Sequence, residues 1–152
     1  MMNPRPNRLS HVVYCVRPEN FEAATKLWST ALGVTFDQLD LHDGSLRVSF
    51  SLEHGVEVIA PAANGPQKFH DFLASNGEGV YTVVYVVSDL DEAEAEVAAQ
   101  GVSVADRLVY TGRRPWTEEW AVLEERVLPP VHGMRITVAR MERHAAGVGN
   151  DV

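Results

Sequence analysis

Apolar positions along the chain recur sometimes every second residue and sometimes every third or fourth, and each change of period marks a new element. Residues 9–16, Leu-Ser-His-Val-Val-Tyr-Cys-Val, are β-branched and aromatic without helical spacing, which predicts a largely buried strand ended by Pro18. Over residues 19–32, Phe21, Ala24, Leu27, Trp28 and Leu32 fall on one helical face, and Gly33 follows as a C-terminal cap. Leu46, Val48, Phe50 and Leu52 then alternate with Arg47, Ser49 and Ser51, and residues 56–60 form a further strand beyond a turn at Glu53-His54-Gly55. The order is one strand, one helix, then three strands.

That order begins again after a linker. Residues 80–87 read as a strand, and 89–100 as an alanine- and glutamate-rich helix capped by Gly101. Residues 102–104, 120–127 and 134–141 supply the later strands. His11-Val12-Val13-Tyr14-Cys15-Val16 lies over Thr82-Val83-Val84-Tyr85-Val86-Val87 at an offset of 71 residues, 82 less 11, close to half the 152-residue length. With the same strand-helix-glycine order after each copy, this is an internal duplication. Module one spans 9–61, the linker 62–79 with a short helix at 69–74, and module two 80–141. The fold class is α+β: two tandem βαβββ modules forming a cupped mixed sheet with helices on its outer face.

Composition narrows the partners. The chain is 45% hydrophobic with 11 Gly and 8 Pro, ordinary for one globular domain, and its formal charge of −8 opposes nucleic acid and anionic membrane surfaces. Cys15 is the single cysteine, so an intrachain disulfide and a CxxC site are excluded, and a reducing cytoplasm is the expected location. No apolar run approaches a membrane span. Residues 1–8 and 142–152 are unpatterned and read as tails, the second disordered.

A duplicated βαβββ unit opening with His11 resembles the vicinal oxygen chelate superfamily of glyoxalase I, extradiol dioxygenases and bleomycin-resistance proteins. The stretches Phe72-Leu73-Ala74-Ser75-Asn76-Gly77-Glu78-Gly79-Val80, Ser88-Asp89-Leu90-Asp91-Glu92-Ala93 and Val56-Glu57-Val58-Ile59-Ala60-Pro61 are nearest in texture to its methylmalonyl-CoA epimerase-like branch. The resemblance implies a cup in which four inward residues hold a divalent metal that vicinal substrate oxygens chelate. Carried over residue by residue, those positions fall on His11, Glu57, Thr82 and Thr137. Two are hydroxyls, so the cofactor expectation is none or a weakly held divalent metal on His11 and Glu57, and no organic cofactor. The epimerase's two carboxylates would fall on Arg47 and Thr137, so that particular activity is not expected.

Within the cup, His11 and Glu57 are the candidate acid/base pair, because a carboxylate buried beside an imidazole has the environment that proton transfer needs. Arg47 joins them as a candidate catalytic cation. Arg135, Ser49, Thr82, Thr137 and, from the Arg- and Trp-bearing loop 113–120, Trp116 are candidate substrate contacts. Tyr14, Tyr81 and Tyr85 are expected on the opposite face against the helices. The functional expectation is a small-molecule isomerase, epimerase or lyase moving a proton next to a carbonyl. The alternative is a metal-free protein sequestering a hydrophobic or aromatic ligand. A homodimer is expected, with a small molecule as the other partner.

Overall fold

The computed structural model describes residues 7–110 and 120–144. The chain order is β1 (Arg8–Cys15), α1 (Phe21–Leu32) after a short 3-10 turn, β2 (Asp37–Leu41), β3 (Leu46–Ser51), β4 (Val56–Pro61), α2 (Gln67–Asn76), β5 (Gly79–Val86), α3 (Leu90–Ala99), β6 (Asp106–Val109), β7 (Trp120–Val127) and β8 (Ile136–Arg143). All eight strands form one curled mixed sheet in the order β2-β3-β4-β1-β5-β8-β7-β6. β1 and β5 meet antiparallel at the centre, while β1 is parallel to β4 and β5 is parallel to β8.

The duplication is visible in the register. Val13 pairs with Glu57 across β1–β4, and Val84 pairs with Thr137 across β5–β8. Val13 and Val84 stand 71 residues apart, the offset that carries His11 onto Thr82, so Glu57 and Thr137 are structural counterparts.

Helix ends follow local chemistry. Gly33 adopts φ 69° where α1 must stop, a left-handed conformation that costs glycine little. Asp89 caps α3 by accepting from the Glu92 backbone N–H at 2.9 Å. The strand expected at 102–104 is absent, and β6 begins at Asp106 instead. Val102 N–H is used to close α3 by donating to Val97 O at 3.0 Å, so the chain cannot enter the ladder there.

Two apolar layers result. On the convex side, Phe21 and Trp28 of α1 pack over Tyr14, Val56 and Val58, with the Tyr14 and Trp28 rings 5.3 Å apart. On the concave side, Val13, Cys15, Val48, Phe50, Ile59, Val84, Leu123 and Ala139 line the curl, and Phe69 and Phe72 of α2 close one end of it against Tyr81. Tyr14 sits as expected, but Tyr85 is 43% exposed. Among the described residues no helix is long and apolar enough to cross a membrane.

Candidate functional site

Two β-bulges shape the cup. Between Leu9 and His11 of β1 the pairing with β5 gains an extra residue, Ser10, and between Val13 and Tyr14 the extra residue is Tyr81 of β5. The first bulge puts the Ser10 hydroxyl 2.9 Å from His11 Nδ1, while the same hydroxyl donates to Met141 Sδ at 3.3 Å. With its hydrogen spent on sulfur, Ser10 accepts from Nδ1–H. Gly55, at φ 74°, holds the β3–β4 turn against this bulge, where a Cβ would lie 3.3 Å from Ser10 O.

On its other side, His11 Nε2 lies 3.2 Å from Glu57 Oε2. Both ring nitrogens then face acceptors, the arrangement of an imidazolium. Burial by itself would lower the His11 pKa, but the Glu57 hydrogen bond, the Glu57 charge and the Glu125 charge outweigh it, so the pKa is raised. His11 is 3% exposed, whereas the Glu57 side chain keeps 23% of its surface.

Thr82 and Thr137 form the matching half of module two. Their hydroxyls lie 2.9 Å apart, and Thr82 also donates to Arg135 O at 3.1 Å. Where module one carries an ion pair, module two carries a pair of neutral hydroxyls.

A second carboxyl joins Glu57 in the cup, and the sequence reading missed it. Glu125 on β7 is buried, with Tyr110 Oη 3.5 Å from its Oε2. Burial, reinforced by the Glu57 charge against the opposing effects of His11 and Tyr110, pushes its carboxyl up to about 7. Tyr110 is itself raised, by burial and by Glu125. The signal was present: Glu125 shares strand parity with Leu123 and Val127, both inward. Register matching makes Glu125 the module-two counterpart of Val48.

His11, Glu57, Thr82, Glu125, Tyr110 and Thr137 line one cavity of about 270 Å³, with Val13, Leu46, Ile59, Phe69, Val84 and Leu108 supplying apolar walls. His42, at φ 51°, and the Lys68–Asp106 ion pair at 3.1 Å also border it; none of these three was anticipated.

Arg47 and Ser49 are not part of this cavity. Glu57 pairs with Phe50, so the even-numbered residues of β3 face the cup and the odd-numbered ones face α1. Arg47 stacks 4.3 Å from the Phe21 ring centre and reaches Glu22 at 3.4 Å, while fully buried Ser49 accepts from Thr25 Oγ1 at 3.0 Å. Arg135 also lies outside the cup, with its guanidinium 4.3 Å from the centre of the Tyr81 ring and Nη1 donating to Tyr81 O at 3.2 Å. Trp116 and most of loop 113–120 lie outside the described residues, as do 1–6 and 145–152.

The four positions that the resemblance assigns to a metal do not fit a tightly held divalent ion. His11 and Glu57 are bonded to each other, and Thr82 and Thr137 offer only weak neutral donors bonded to each other. Among the described residues no group of three or more His, Cys, Asp or Glu side chains is arranged to hold a metal ion.

Comparison with known proteins agrees with this architecture. The sequence profile of the Glyoxalase/Bleomycin resistance protein/Dioxygenase superfamily matches residues 10–118. No curated protein matches the sequence significantly. Among solved structures, a hypothetical protein from Bacillus halodurans superposes with a TM-score of 0.70 at 18% identity, covering 93% of this chain and 99% of its own. Methylmalonyl-CoA epimerase from Mycobacterium tuberculosis gives 0.64 at 19% identity, covering 92% of each chain. A variant of 4-hydroxymandelate synthase from Streptomyces coelicolor gives 0.69 at 15% identity, covering 96% of this chain and 52% of its own. At these identities the likeness is one of fold.

Proposed function

The chain belongs to the Glyoxalase/Bleomycin resistance protein/Dioxygenase superfamily, and on that premise we propose that it is a small-molecule isomerase, epimerase or lyase that moves a proton next to a carbonyl. The observation that carries this reading is the His11–Glu57 pair, 3.2 Å apart, facing a cavity that also holds the buried acid Glu125.

In this mechanism the Glu57 carboxylate removes the proton from the carbon beside the carbonyl, and the His11 imidazolium steadies Glu57 and fixes its orientation. The Thr82–Thr137 pair has two hydroxyl hydrogens. When Thr82 donates to Arg135 O, Thr137 is free either to donate to Thr82 or to turn to a substrate oxygen, where it stabilises the enolate. Glu125, still partly protonated near neutral pH, returns a proton to the intermediate. No step needs a residue outside the cup. The cavity of about 270 Å³ lies just under the range typical of drug-sized ligands and suits a compact substrate with an apolar body.

The test is hydrogen exchange in deuterated water. A panel of small 2-substituted carbonyl acids is followed by proton NMR for loss of the signal beside the carbonyl. Glu57→Gln should slow exchange at least about 100-fold, the usual contribution of a general base. Unchanged exchange in that variant would overturn the assignment.

A second reading, a sequestering protein without turnover, is favoured by the apolar walls from Leu46, Ile59, Phe69 and Leu108. It predicts saturable binding of aromatic ligands with no exchange and no sensitivity to Glu57→Gln.

A further inference from the structure

The convex face of the sheet is not covered evenly. α1 packs over module one, and α3 is tied to β6 and β7 through Glu94, which takes Arg107 and Arg126 as partners. Between the two helices the outer face of β5 is uncovered among the described residues. It forms the floor of a groove of about 830 Å³ whose far wall is the C-terminal half of α2. Apolar surface is concentrated there: Val80, Tyr85, Met134 and Ile136 are 48%, 43%, 56% and 37% exposed. Contiguous apolar exposure of this kind marks a place where something binds.

The charges in the groove indicate what kind of ligand. Lys68 is engaged by Asp106, and Asp71 accepts from Gln67 Nε2 at 2.8 Å. Arg135 is different. Its guanidinium is held flat, 4.3 Å from the centre of the Tyr81 ring and 5.6 Å from that of Phe72, with Nη1 on Tyr81 O, yet it has no carboxylate partner among the described residues. A cation positioned by two aromatic rings and left without a counterion is prearranged for an incoming anion. The chain's charge of −8 repels anions at long range, so any anion captured here answers to this one local group.

We propose that the groove is a second ligand site, distinct from the cup and adjoining it at Lys68 and Tyr81, for an amphipathic carboxylate: the carboxylate meets Arg135 and the apolar body lies along Tyr85, Met134 and Ile136. Its volume falls within the range of ordinary small-molecule sites. Head and body are both required, because the apolar residues supply affinity without direction and Arg135 supplies direction.

The test uses the full chain and two probes of equal length, octanoate and 1-octanol, titrated with amide NMR as the readout. Octanoate should give saturable shifts at Tyr85, Arg135 and Ile136, with Glu57 and Ile59 of the cup unmoved, and should bind about tenfold tighter than the alcohol. Arg135→Gln should erase that difference. Tyr85→Glu, at an exposed position that leaves the fold intact by circular dichroism, should abolish octanoate binding by placing a like charge in the groove. The proposal is overturned if octanoate shifts map to the cup, if acid and alcohol bind equally, or if Arg135→Gln changes nothing. It is equally overturned if light scattering finds a dimer that Tyr85→Glu splits, since a second copy would then occupy the groove.

Discussion

Glu125 ties the stability of the chain to pH. Its native carboxyl titrates near 7 against 4.5 for an ordinary glutamate, so between those values the folded chain holds a proton that the unfolded chain has released. Stability contributed by the protonated form is therefore complete below pH 4.5 and lost as the pH rises through 7, a change of about 3 kcal/mol at 1.36 kcal/mol per pKa unit. Glu125→Gln should remove this dependence. In urea unfolding the variant should gain about 3 kcal/mol on wild type between pH 5 and pH 8, and a difference that stays flat with pH would show that Glu125 is not held in its acid form. The raised His11 pKa acts in the same direction, since the stability it contributes is present below 6.5 and lost as the pH climbs past its native value. His11 and Glu57 could be read from the sequence because a histidine and a glutamate interrupt apolar strands. Glu125 stands beside Glu124 and Arg126, where an acidic residue looks like a solvent-facing one, and only strand parity separates it from them.

At the level of elements, most of the periodic signal translated directly: β1, β3, β4, β5, β7, α1 and α3 lie within a residue or two of the expected spans. What misled was the direction of β3. Its alternation is unmistakable, but alternation does not say which face is the site, and the expectation placed Arg47 and Ser49 in the cup. The concave side of module one is instead its apolar side, and the polar residues are satisfied beneath α1. Two outcomes follow. Ser49→Ala should cost about 1–3 kcal/mol by leaving the buried Thr25 hydroxyl without its acceptor, whereas adding Thr25→Val should recover most of that loss. Thermal unfolding of the four-member cycle measures this, and additive losses would show that the two hydroxyls do not interact. Arg47→Ala should leave hydrogen exchange in the cup within about twofold of wild type, because its charge sits on an exposed Glu22 pair on the far face. A large loss of exchange with normal stability would place Arg47 back among the functional residues.

Across the whole molecule, two halves of matching strand register carry unlike half-sites, His11 with Glu57 and Thr82 with Thr137. The symmetry makes the difference testable. Elemental mass spectrometry of the untagged wild type should find far less than one equivalent of divalent metal, while Thr82→His combined with Thr137→Glu should create a four-donor set and take up zinc near one equivalent. Wild type holding a full equivalent, lost on His11→Ala with Glu57→Ala, would reverse that expectation. The join of β1 to β5 within one polypeptide also bears on ancestry. In a pair of identical single-module chains, a substitution in one half-site appears in both, and an imidazole cannot face a hydroxyl across the twofold axis. Tandem fusion lifts that restriction. Each half can then drift alone, and the resulting cup presents different groups to the two ends of a bound molecule, where a symmetric cup would offer both ends the same groups and accept two equivalent, opposed orientations.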